Sequence, residues 1–447
     1  MTLAGIRTGK SVLLLGFMSA VISIERVCTP PSAGREQPPI PAPVSPELRV
    51  AASTLAGPSG FVRWAFYLSV FAIPFARFYI PGTGERLGVI RIEQLLLLCA
   101  ALSQPRVCLG RVPVALLWIG AYCGLRILSG LWFSPELWAS WWPTTLGWLQ
   151  FSLPWVWVMF NLVQFPGVAR QGLWALVWGC VLCASFHIAG VGVTVVEDGM
   201  EGIRSTVFGE NPNVVGATYA AGLIALIGLG MFKNIQLSRR WLLLPMIALV
   251  GMAMAKTGSR APFFIVGIGI LVLLLQAQSF SSRTRRYTTL ILIGAVFAVI
   301  LCMVPTVMNR FQDIDPHNIG HHNPRARMDP VLWDIFLRSP TYGTGPDQYC
   351  IELTRRALPY LIAKRQAIGA HNLALMLLVE TGIIGFVVFQ TGQCKALAAA
   401  WRARLRPCGL LPLALLLPFF VAGFVMANPL SDQVFWLALA YSLAGAA

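Results

Sequence analysis

The chain has 447 residues, 56% of them hydrophobic and 12% charged, a makeup that excludes a large soluble domain and points to a polytopic membrane protein. Its formal net charge of +16 would suit a nucleic-acid binder, but the cations follow the loops of a membrane protein, so no nucleic acid is expected. Ten cysteines lie scattered, mostly within apolar runs, and imply no disulfide framework.

Residues 1–60 differ from the rest. An apolar run at 11–24 behind Arg7 and Lys10 precedes a Pro-rich stretch at 29–46. The run is short for a membrane span and reads as an interfacial or cleaved segment followed by a flexible linker. Beyond it, apolar runs near 61–80, 88–103, 112–133, 146–163, 172–195, 212–232, 241–255, 261–278, 287–307, 371–391, 408–427 and 434–447 predict an all-α polytopic protein of about twelve transmembrane helices. The expected organisation is an N-terminal segment and linker at 1–60, membrane helices at 61–307, a large loop at 308–370, and membrane helices at 371–447.

Alternate short loops carry Arg106/Arg111, Arg170, Lys233/Arg239/Arg240, Arg283/Arg285/Arg286 and Lys395/Arg402/Arg404/Arg406, which the positive-inside bias assigns to the cytoplasm. The opposite loops at 134–144 and 197–210 are poor in cations or acidic. On that same outer side, Arg204, Lys256, Arg260 and the stretch 309–370 place positive charge where Lys and Arg are scarce. This suggests an anionic ligand. The stretch carries eight Lys/Arg against six Asp/Glu (Asp313, Asp315, Asp329, Asp334, Asp347, Glu352), so internal neutralisation is the competing reading. Within it, Asp329-Pro330 predicts the start of a helix over 331–338 that Ser339-Pro340 stops, a tight turn follows at 342–347, and a second helix is expected at 350–366. Lying on the membrane, the pair would make a lid with an apolar underside and a basic rim.

Arg supplies a rigid planar fork for phosphate oxygens, and the spans beginning at Pro212 and Ala261 point their helix N-termini to the same side. His371, at the junction of the loop and the next span, has the chemistry of a general base for a hydroxyl. Neighbouring cations favour its neutral form. His317, His321 and His322 lack convincing ligand spacing, so no metal is expected. Other polar groups read as structural. His187 is expected to hydrogen-bond inside the bundle, Cys180 and Cys183 to fill space, Arg91 and Glu93 to pair, and Arg126 to snorkel outward.

In this order, 204–213 (RSTVFGENPN), 257–261 (TGSRA), the region 325–345 with Pro340, Gly343 and Gly345, and His371-Asn372 followed after nine residues by Gly382-x-x-Gly385 resemble the O-antigen ligase and polymerase family. The resemblance covers about 204–389. It implies a GT-C-like membrane glycosyltransferase with a large helical periplasmic loop, in the bacterial inner membrane with its site facing the periplasm. The donor would be a glycan on undecaprenyl pyrophosphate, without nucleotide sugar, metal or other cofactor, and the acceptor a hydroxyl of lipid A core or of a growing glycan. Arg204 and Arg260 would hold pyrophosphate and His371 would activate the acceptor. Asn372, Arg325 and Arg327 would support them. A ligase and an O-antigen or exopolysaccharide polymerase need the same donor site, so both stand here. Charges gathered at one face, without repeated halves, argue against a transporter.

Overall fold

Hydropathy locates most of the helices. The computed structural model describes residues 57–76, 89–198, 202–231, 242–275, 324–357, 370, 372–406, 408–425, 430 and 432–445, all within one unit, Gly57–Ala447. The N-terminal segment, the span expected at 287–307 and the triple-His segment lie outside the described residues.

Among the described residues the longer helices are α1 (Gly60–Phe71), α2 (Val89–Ser103), α3 (Val114–Phe133), α4 (Trp138–Gly147), α5 (Leu153–Val163), α6 (Pro166–Ala189), α7 (Pro212–Met231), α8 (Leu243–Lys256), α9 (Ala261–Leu275), α10 (Pro324–Arg338), α11 (Gln348–Ala357), α12 (Leu373–Arg402), α13 (Leu411–Val425) and α14 (Gln433–Ala444). Among the described residues, five helical stretches (Val114–Phe133, Pro135–Val163, Pro166–Ala189, Pro212–Met231 and Leu373–Leu405) are long and apolar enough to cross a membrane. The protein is therefore a multi-pass, predominantly helical membrane protein.

Helix α7 forms the centre. It is apolar on every side and almost wholly buried, as an all-round hydrophobic helix must be. Three small positions admit its neighbours. A Cβ at Gly216 would strike Pro262 of α9, one at Gly222 the Cys180 sulfur of α6, and one at Gly228 the Leu411 side chain of α13. Small residues at such crossings let membrane helices approach closely where dispersion and packing, not water, drive association. Cys180 and Cys183 are buried space-fillers, as expected.

Three expectations are corrected. The segment 134–144 is not a loop. A 3-10 turn at Pro135–Leu137 leads into α4 and through a π-helical turn at Trp148–Ser152 into α5, and Pro143, which lacks an N–H, sits just ahead of that irregular turn. The segment 197–210 is not a simple loop either. Strands β1 (Val193–Asp198) and β2 (Gly202–Val207) form an antiparallel hairpin with Val196 opposite Arg204, a small addition to a mostly helical chain. Finally, α10 begins at Pro324, so Asp329 and Pro330 lie inside the helix and not at its start.

Helix α12 has 30 residues, more than one crossing needs, and is broken at Gly382, whose φ of 64° and ψ of −167° are accessible only to glycine. A Cβ there would also strike the Thr341 carbonyl. Downstream, α12 lies along α3, with Tyr122 and Phe389 edge to face at 5.1 Å between ring centres.

Candidate functional site

The two outer motifs expected to act together do meet. Ser205 Oγ on β2 donates to the Lys256 carbonyl at 2.6 Å, and Ser259 Oγ donates to Asn213 Oδ1 at 2.6 Å. These bonds tie 204–213 to 256–260 at two points. Since the single Ser205 proton goes to Lys256, its oxygen accepts from His187 Nε2 at 2.9 Å, leaving Nδ1 to face the Tyr219 hydroxyl at 3.5 Å. His187 is thus the hydrogen-bonding bundle residue that was expected, joining α6 to β2 and α7.

The local chain shape follows from its residue types. Phe208 (φ 56°) and Gly209 (φ 72°) turn the chain after β2, and Thr206 Oγ1 closes the turn onto the Glu210 carbonyl at 2.5 Å. Asn211 Oδ1 then accepts from the Asn213 amide at 2.9 Å, the bond that caps α7. At the other motif Gly258 takes φ 63°, and α9 starts directly after Arg260. The first turns of α7 and α9 touch through Gly216 and Pro262. Two helix N-termini, each with positive partial charge, therefore adjoin; Arg260 is half-buried and directly precedes α9, and Arg204 is buried on β2, 8% exposed.

The third motif is described in part. His371 lies outside the described residues. Its neighbours are held from both sides. The Ala370 amide donates to the buried Tyr349 hydroxyl at 3.2 Å, and Asn372 Oδ1 accepts from the Leu375 amide at 3.2 Å, so Asn372 is the N-cap of α12. Arg325 and Arg327 fall within α10, with side chains outside the described residues. Among the described residues no group of three or more His, Cys, Asp or Glu is placed to hold a metal ion.

The lid has the expected apolar underside: Met328, Leu332, Ile335, Tyr349 and Leu353 are buried. Among the described residues, the lid cations Arg338, Arg355 and Arg356 are ion-paired. Asp334 accepts from Arg356 at 2.7 Å and Arg338 at 2.9 Å, and Glu352 accepts from Arg355 at 3.0 Å. The bond from Arg356 to Asp334 staples α11 to α10. With Arg338 it holds the Asp334 carboxyl below its ordinary range. A carboxyl depressed in the fold stabilises it above the unfolded value near about 4, and loses that contribution as pH falls through the folded value. Acidification below about 4 should therefore loosen the pairing of α10 and α11, seen as faster hydrogen exchange there; Asp334→Asn should remove this dependence. Burial pushes the Cys350 thiol up to about 12, so it stays protonated at neutral pH.

Arg126 does not snorkel outward. It is 3% exposed, and its Nε and Nη2 form a fork onto Glu380 of α12 at 3.0 and 3.3 Å. Nη1 donates to the Trp141 carbonyl at 3.3 Å and to Thr145 Oγ1, Asp347 lies 3.7 Å from Nη2, and the Trp148 ring stacks on the guanidinium at 5.0 Å. Removing one member of such a buried pair typically costs about 3–5 kcal/mol. Sequence reasoning missed this pair, although a signal was there: Arg126 is the one charge in α3, and Glu380 the one acid in α12.

Residues 245–390 match the protein family described as O-Antigen ligase. Over this segment, about a third of its length, the chain is similar to O-antigen ligases. No curated protein matches the chain. The matched segment takes in Arg260, the lid, Asn372 and Glu380, and stops short of Arg204 and the hairpin. The match supports a ligase- or polymerase-like, glycan-handling role.

Proposed function

We propose that this protein is an O-antigen ligase, which transfers a glycan from undecaprenyl pyrophosphate to a hydroxyl of lipid A core at the periplasmic face of the bacterial inner membrane. The observation that carries the reading is the joining of 204–213 to 256–260 where the N-termini of α7 and α9 adjoin. Two Arg side chains and two helix ends supply fixed positive charge for a pyrophosphate as its own charge rises on departure. His371 takes the acceptor proton while the acceptor oxygen bonds to the sugar C1, and the C1–O bond to phosphate breaks with its electron pair going to undecaprenyl pyrophosphate. Asn372 supports the site by capping α12, and Arg325 and Arg327 add positive charge at the lid.

In this reading 61–307 and 371–447 are the membrane parts, and 308–370 covers the site. No step uses a metal or a nucleotide. Deleting the gene tests it through the cell's lipopolysaccharide. Expected is lipid A core without attached glycan, together with accumulated lipid-linked glycan. Normal attachment in the deletion strain would overturn the reading, and attachment of single repeats in place of chains would assign a polymerase.

A further inference from the structure

The turn 341–347 is seated in the break of α12. Helix α12 loses its internal ladder at Gly382, and the turn replaces it. The Thr344 amide donates to the Val379 carbonyl at 2.8 Å, Gly345 to the Glu380 carbonyl at 3.1 Å, and Ile383 in return to Pro340 at 2.8 Å. The fit requires glycine, because a Cβ at Gly343 would lie 2.5 Å from the Glu380 backbone. Asp347 ends the turn at φ 61°, a left-handed conformation that Asp tolerates. Its carboxylate accepts from Ser140 Oγ at 2.6 Å, and α3 reaches the same place through Ser129 Oγ, which donates to the Glu380 carbonyl at 3.1 Å.

Arg126 joins all of this. Four of its N–H groups bond Glu380, Trp141 and Thr145, and Asp347 lies 3.7 Å from Nη2, so the guanidinium is committed to these protein partners. Ion pairs of this kind are weak evidence for stability, since apolar residues of equal volume usually serve as well, and charges inside membrane segments mark function more often than scaffolding. What the cluster controls is the short half-helix 373–381. At one end Glu380 is fixed by Arg126 and the turn. At the other end the backbone beside His371 hangs from Tyr349, two residues beyond Asp347. Both ends of the half-helix are thus referred to the single segment 340–349.

We propose that Arg126, Glu380 and Asp347 are positioning residues that lock this segment into the break of α12 and so hold His371 against its acceptor. The proposal rests on the transfer reading above. Small misplacement of a reacting group costs about 10- to 100-fold in rate, and it does so without weakening donor binding at Arg204 and Arg260.

The test pairs three variants of the full-length protein. Arg126→Met/Glu380→Met removes both charges at similar volume, Asp347→Asn is a nearly isosteric change at a partly exposed site, and Arg126→Lys keeps the charge without the fork. Expected for the first two are near-wild-type thermal stability, donor KM within about threefold, and kcat lowered about tenfold or more. Arg126→Lys should recover part of kcat. Amides of Thr344, Gly345 and Ile383 should exchange faster in the double variant and in Asp347→Asn. Wild-type kcat in a stable Met/Met protein would overturn the proposal. Should the double variant not fold, unchanged kcat and exchange in Asp347→Asn would do so. If wild-type protein transfers no glycan, the functional reading fails, and the exchange data alone then decide for or against the clamp.

Discussion

Replacing His371 with Ala lowers glycan transfer by about 100-fold or more, with folding and donor binding nearly intact. The residue stands between Tyr349-anchored Ala370 and the α12 cap Asn372, and neither bond uses its side chain, so the backbone path survives the change. In the proposed mechanism Arg204 and Arg260 still hold the pyrophosphate, and what is lost is the group that takes the acceptor's proton. Raising the pH should restore part of the rate, as more acceptor hydroxyl ionises without help. A structural role predicts another pattern: reduced yield or melting temperature, weaker donor binding, and no selective loss in the chemical step.

Arg204→Ala and Arg260→Ala each weaken use of limiting donor by at least about tenfold, since a charge-assisted bond to a buried phosphate contributes about 1.5–3 kcal/mol. Lys replacements should recover only part of this, because a point charge cannot make the two-oxygen fork. The two positions should differ in stability. Arg204 is buried on β2, where its loss leaves a gap, whereas Arg260 lies half-buried just ahead of the start of α9. Thermal melts should therefore show the larger drop for Arg204→Ala. Wild-type donor KM with either Ala variant would remove that Arg from the site.

Hydropathy made the spans legible because lipid solubility is a property of each segment alone. The meeting of Arg204–Asn213 with Lys256–Arg260 was legible from topology, as both motifs end at helix N-termini on one side. The ion-paired lid could be seen as a balance of charges, but not as named pairs. The hairpin was less accessible. Val193, Thr194, Val195 and Val196 are good strand formers, but the first three continue the apolar run 172–195 and read as the end of a span. The Arg126–Glu380 bond was hidden for another reason: it joins residues 254 positions apart, and nothing in either helix alone names its partner. Gly343 and Gly382 were visible as motif glycines, while their use, a turn seated in a broken helix, emerges only when both are placed together.

The most direct measurement is transfer by the purified protein in proteoliposomes that contain undecaprenyl-pyrophosphate-linked glycan and lipid A core, in excess chelator. The account predicts glycan attached to lipid A core with release of undecaprenyl pyrophosphate, and loss of this product in Arg260→Ala and His371→Ala proteins that remain folded. No product from folded wild-type protein, with or without added divalent ion, or equal product from the variants, would contradict it.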